Sequence, residues 1–183
     1  MSGPIFLDVM DETTTGLVRD WRNQALSTLR TPFALTVEMQ QDFYKNVICN
    51  RNSPHRYWAV RQQLTCSAPL VAMVGLTNIQ WENGLAEISL IVDPKKARQG
   101  IGLAAVRLAL DQAFDILGLK TVCGEVYHCN PAHPFWQVAL ARNGGYASVL
   151  LPRRKFWDGR LWDSDYFTFT KEVYDALALR HRG

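Results

Sequence analysis

The chain has 183 residues, 48% of them hydrophobic and 20% charged, which is ordinary globular usage with enough length to bury a substantial core. No apolar run approaches the roughly 20 residues that cross a bilayer, and residues 1–10 lack a basic segment followed by an apolar one, so a cytoplasmic protein with no membrane association is expected. The formal net charge of +3 neither demands nor excludes a polyanionic partner.

In chain order, residues 6–10 read as a short strand. Leu17, Val18, Trp21, Ala25 and Leu29 then recur at helical spacing over residues 13–29, and Pro32 ends that segment. Thr36 is an N-cap candidate for a second helix, with Phe43, Tyr44, Val47 and Ile48 on its inner face. After a polar break at 50–54 come strands at 57–61, 70–81 and 85–92, the last two joined by the hairpin signal Glu82-Asn83-Gly84.

A helix is predicted over 100–117, with Val106, Leu110, Ala113 and Leu117 inward and Gly118 as its C-cap. Residues 121–127 form a further strand, and Asn130-Pro131 opens a helix that ends near Asn143-Gly144-Gly145. Two last strands, 147–151 and 166–170, are separated by a basic, aromatic connection and followed by a short helix. No repeat or linker interrupts the chain, so one mixed α/β domain over 1–183 with a largely antiparallel sheet is expected.

Cysteines 49, 66, 123 and 129 form no C-x-x-C pair, and no histidine has zinc-site spacing to them. Reduced thiols and no metal are expected.

The most telling stretch joins the strand ending at Val92 to the helix opening at Gly100. Between them lies Asp93-Pro94-Lys95-Lys96-Ala97-Arg98-Gln99, and Ile101-Gly102-Leu103 follows. A basic, glycine-bearing turn at a helix start aims backbone N–H groups, a helix dipole and cations at one point, which suits a phosphate or pyrophosphate. A plain strand-to-helix turn with solvated lysines is the other reading. A Walker A loop is excluded, because no Gly-Lys-Ser/Thr closes the turn. A dinucleotide fingerprint fits poorly, since Ala105 stands where the third glycine belongs and a hairpin precedes the turn.

This arrangement resembles the GCN5-related N-acetyltransferase (GNAT) superfamily, in which a strand ending Val-x-Pro runs into Q/R-x-x-G-x-G/A. Here Val92, Pro94 and residues 97–102 match, with Ala97 in the first position. Asn130 before the next helix and Gly145-Tyr146 after it resemble further family features. Trp21-Arg22-Asn23, Leu29-Arg30, Thr36-x-x-Met39 and Asp158-Gly159-Arg160-Leu161-Trp162-Asp163 resemble the ribosomal-protein and amino-sugar branches.

The resemblance implies an α+β fold with a mixed, mostly antiparallel sheet of six or seven strands flanked by helices. It implies acetyl-coenzyme A as co-substrate. Arg98, Gln99, Gly100, Ile101, Gly102, Leu103 and Ala104 would hold the pyrophosphate. Ser89, Leu90, Ile91 and Val92 would pair with the pantetheine arm, and Asn130 would contact the cofactor or simply cap its helix. A backbone N–H near Leu90 or Ile91 would bond the thioester oxygen.

Strand alternation sets Glu87 with Ser89 and Ile91 on one face. A carboxylate on an apolar central strand must be exposed, paired or functional, and Glu87 is the candidate general base. The family's usual tyrosine acid is missing: Gln137 lies seven residues beyond Asn130, and Ala141 lies four before Gly145. His133, Tyr127, Tyr146 or water would replace it.

For the acceptor, Arg22, Asn23, Trp157 and Asp163 are the candidates, with Trp21 read as core and Asp163 as either an amine ligand or a loop closure. The expected activity is acyl transfer to a primary amine of a small molecule such as a nucleotide-linked amino sugar, by a monomer or homodimer. A protein N-terminus, a nucleic-acid base, or an inactive module that only binds coenzyme A are the alternatives.

Overall fold

Seven strands make one sheet in the order β1-β2-β3-β4-β5-β7-β6. They are β1 (Phe6–Asp8), β2 (Arg56–Arg61), β3 (Leu70–Gln80), β4 (Leu85–Val92), β5 (Thr121–Tyr127), β6 (Tyr146–Trp157) and β7 (Arg160–Thr170). The computed structural model describes residues 4–63 and 68–180, so Cys66 lies outside the described residues. Among the described strands, β4 and β5 are the one parallel pair and every other neighbour is antiparallel.

The helices are α1 (Glu12–Asn23), α2 (Val37–Phe43), α3 (Ile101–Asp111), α4 (His133–Asn143) and α5 (Lys171–Arg180). One sheet face packs on α3, α4 and α5 through Leu76, Ala86, Ile88, Val122, Phe167 and Phe169. The other carries Met10, Val18, Ala59 and Met73, with Trp21, Tyr57 and Ile91 packed against them. Trp21 therefore belongs to the core side of α1, as its helical spacing indicated. Among the described residues, no helix is long and apolar enough to cross a membrane.

Capping explains where the first two helices start. Asp11 accepts from the Thr14 N–H at 2.7 Å, while Thr14 Oγ1 accepts from the Asp11 N–H at 2.9 Å, a reciprocal box. Thr36 Oγ1 accepts from the Met39 N–H at 3.2 Å. α1 stops at Asn23 rather than near residue 29, and Leu26–Thr28 forms a single 3-10 turn instead. The long third helix is split, with a π-helical turn at Gln112–Ile116 before Gly118 at φ 67°.

The largest departure from the sequence reading lies near the C-terminus. The basic, aromatic connection is itself strand, and β6 and β7 form one long hairpin. Its tip is Asp158-Gly159, both left-handed at φ 50° and 74°, the Asp-Gly chemistry that a two-residue hairpin demands. A register shift between Leu151 and Lys155 interrupts β6, with Arg153 at φ 56°.

Candidate active site

The register between β4 and β5 covers Leu85↔Thr121, Ala86↔Val122 and Glu87↔Cys123, and there it ends. Beyond that point β4 runs on to Val92 and β5 to Tyr127. The sheet therefore opens along a seam in its middle. A seam of this kind presents backbone donors and acceptors to whatever enters it. Leu90, Ile91 and Val92 lie along its β4 edge.

The basic turn leaves the end of that edge. Gly100 takes φ 81°, a left-handed conformation natural to glycine, and no side chain caps α3. The first-turn N–H groups of Ile101, Gly102 and Leu103 thus have no intrahelical partner, and the positive end of the helix dipole faces outward. Arg98 and Gln99 are exposed, whereas the Ile101 side chain is buried in the core. Gly102 has a second reason to lack a side chain: a Cβ there would stand 3.1 Å from the Phe135 ring of α4. An uncapped helix end of this form suits a pyrophosphate.

A cleft of about 520 Å³ opens beside the seam. Glu87, Ser89, Leu90, Ile91, Asn130 and Arg22, all proposed from sequence, line it together. Arg30 also lines it and grips the Glu87 carboxylate, with Nη1 donating to Oε2 at 3.2 Å and Nη2 to Oε1. Asn78 Nδ2 donates to Oε2 at 3.2 Å. Across the seam, Arg30 lies 3.5 Å from Glu125 on β5.

Glu125 also accepts from Ser164 Oγ at 2.6 Å and Arg154 Nε at 3.1 Å. Burial pushes its carboxyl up, but those hydrogen bonds and the two guanidinium charges outweigh it, so Glu125 titrates below the ordinary glutamate range.

Two phenols complete the wall. Burial pushes Tyr57 up to about 12. Burial, then the Glu125 charge, also raises Tyr127. Lys155, buried on β6, donates to the Leu26 carbonyl at 3.3 Å and to that of Leu29, pinning the loop after α1 to the late hairpin.

Asn23, Asp163 and Trp157 lie outside the cleft lining. Asn23 donates to the Leu35 carbonyl at 3.0 Å and accepts from the Leu35 N–H at 2.9 Å, so it latches the loop between α1 and α2. Asp163 accepts from the Arg153 N–H at 2.8 Å and holds the irregular turn of β6. Trp157 closes the far end of the hairpin, its carbonyl accepting from Trp162 Nε1 at 3.1 Å. Asn130 Oδ1 accepts from the Ala132 N–H at 2.8 Å, and α4 begins only at His133.

Sequence reasoning missed Glu125 and the Arg30 bridge. Glu125, like Glu87, is a carboxylate on a central strand and carries the same signal. The bridge spans 57 residues and has no local signal.

His128, His133 and Asp165 gather outside the cleft lining, with ligand atoms within 4.8 Å of one another. His133 Nε2 lies 2.7 Å and His128 Nε2 3.1 Å from the two Asp165 oxygens. Burial pushes the Asp165 carboxyl up, and these hydrogen bonds bring it below the ordinary aspartate range. Among the described residues this trio is the donor set of a kind that could hold a metal.

A sheet parted at its parallel pair, with a bare helix end beside the gap, can take the amide-bearing arm of coenzyme A as though it were another strand. The acetyltransferase (GNAT) domain model matches residues 8–133, and the chain belongs to that family of N-acetyltransferases, whose donor is acetyl-coenzyme A.

Solved structures with the same fold include a mutant form of the spermidine/spermine N-acetyltransferase SpeG from Vibrio cholerae. It is 18% identical, with TM-score 0.81 over 95% of this chain and 98% of that one. The spermidine N-acetyltransferase from the same organism in complex with CoA and spermine is 19% identical, with TM-score 0.81 over 93% and 97%. A dodecameric structure of that enzyme in an intermediate state is 18% identical, with TM-score 0.77 over 93% and 95%. No curated protein sequence matches the chain.

Proposed function

We propose that the protein acetylates a primary amine on a small molecule. The observation that carries this reading is the position of the cleft: it opens on the seam, holds about 520 Å³ and is lined by Glu87 at the last β4–β5 pair. That volume suits a small molecule. The structural neighbours named for spermidine and spermine acetylation share the fold, which supports a small amine as the class. An amino sugar is one member of that class.

In this reading Gly100, Ile101, Gly102, Leu103 and Ala104 hold the pyrophosphate through their backbone, with Arg98 and Gln99 at the rim and Asn130 as a further contact. Leu90, Ile91 and Val92 pair with the pantetheine arm. The amine nitrogen attacks the thioester carbonyl carbon, and an N–H at Leu90 or Ile91 stabilises the oxyanion. Glu87 takes the amine proton, directly or through water, its rotamer fixed by Arg30. The carbon–sulfur bond breaks, and the thiolate takes a proton from Tyr127, which its raised pKa keeps protonated at neutral pH, or from water.

The test is thiol release from acetyl-coenzyme A over a panel of small primary amines. At least one acceptor should give turnover that Glu87→Gln cuts sharply. Tight acetyl-coenzyme A binding with no thiol release from any of them would overturn the reading.

A further inference from the structure

Three guanidinium groups and two carboxylates meet in and beside the cleft. Arg30 takes Glu87 and reaches Glu125, and Arg154 takes Glu125. Arg22, in the last turn of α1, lines the same cleft half-buried, and no carboxylate among the described residues forms an ion pair with it. Its neighbour Tyr57 does not supply the missing charge, because that phenol titrates at about 12 and is neutral at pH 7. His55, also in the lining, is lowered by burial and then by Arg56, so it too is neutral there.

A half-buried guanidinium without a counter-ion has lost hydration and gained nothing for it. Burial accordingly lowers the Arg22 pKa. An incoming anion recovers that loss, and the planar fork matches a carboxylate or phosphate in two parallel hydrogen bonds. A polycation meets the reverse situation: both cleft carboxylates are already neutralised, and Arg22 and Arg30 repel it.

Resting on the acetyl-transfer reading, we infer that the acceptor carries a carboxylate or phosphate beside its primary amine, and that Arg22 receives this group. Arg22 is then the specificity-determining residue for the acceptor. It acts through binding, because the reacting amine sits at the seam.

Matched acceptors test this in a thiol-release assay: L-methionine against L-methioninamide, glucosamine 6-phosphate against glucosamine, and spermidine alone. The anionic member of one pair should be preferred about tenfold or more in kcat/KM, as a charge-assisted contact allows. Which pair responds separates carboxylate from phosphate. Arg22→Gln should erase the preference through KM, bringing the anionic member down to the kcat/KM of its neutral twin, and Arg22→Lys should restore part of it. Preference for spermidine or the neutral twins, or a preference that survives Arg22→Gln, overturns the inference. Absence of turnover in every arm counts against acetyl transfer itself. Calorimetric binding of L-methionine and glucosamine 6-phosphate then decides the anion site alone: loss of binding in Arg22→Gln upholds it, and equal binding or none overturns it. Thermal melting of both variants verifies that they fold.

Discussion

In the proposed reading, the donor side of this site and its acceptor side are made of different material. The donor side is backbone: a parted seam along β4 and the bare first turn of α3, with its side chains either exposed, as Arg98 is, or turned into the core, as Ile101 is. The acceptor side is side chain: Arg22, Arg30, Glu87, Glu125 and Tyr57, drawn from α1, the loop after it and three strands. A site made of backbone tolerates substitution wherever the fold is kept, so a proposed amide-held pyrophosphate is compatible with Ala97 at the head of the turn. A site made of converging side chains changes its ligand with each replacement.

The sharpest way to break this contrast is at the turn. Gly100→Glu strains a left-handed residue and sets a negative charge where phosphate belongs, so the calorimetric Kd for acetyl-coenzyme A should rise about 100-fold or more. Arg98→Ala should change it less than about fivefold. Equal losses from both would mean that side chains, not amides, hold the donor.

On the acceptor side, Glu87→Gln should lower kcat about 100-fold with the donor Kd unchanged. An unchanged kcat and pH profile would remove Glu87 from proton transfer.

A smaller effect is expected where the two helix ends touch. Gly102→Ala crowds Phe135 and should cost about 1 kcal/mol in urea unfolding. Adding Phe135→Leu should return most of that loss. Failure of the double variant to recover would place the constraint in the backbone instead.

The smallest effect concerns acid stability. Glu125 is depressed below its ordinary value of 4.5. Its stabilising contribution is therefore present above about pH 4.5 and lost as pH falls through the folded value. Comparing urea midpoints at pH 6 and pH 3, Glu125→Gln should lose less stability than the parent, by no more than about 1 kcal/mol given its partly exposed partners.

The same contrast decides what could be read in the chain. β4 and β5 match their expected ranges, and Thr36 caps α2 as its side-chain chemistry requires. The glycine turn before α3 was legible for the same reason, since a backbone feature is written in consecutive residues. Asp158-Gly159 carried a hairpin signal that the surrounding arginines and aromatics concealed, and so β6 and β7 came out short. Arg30, Glu87 and Glu125 meet only because the sheet brings them together. Asn23 looked like a cleft residue from its place beside Arg22, yet its amide is engaged by the Leu35 backbone. One residue of difference on a helix moves a side chain by about 100°.

Mechanically, the sheet is two plates joined along a short edge. One carries β1 to β4, the other β5 to β7, and three rungs at the bottom of the seam are their direct sheet linkage. On the helical side Gly102 lies close enough to Phe135 that an added Cβ would stand 3.1 Å from its ring, and Arg30 ties Glu87 to Glu125 across the seam. Arg22 and Glu87 ride with the first plate and Glu125 and Tyr127 with the second. The acceptor cleft therefore has one wall on each plate, and in the proposed reading a donor lying in the seam fills the gap between them.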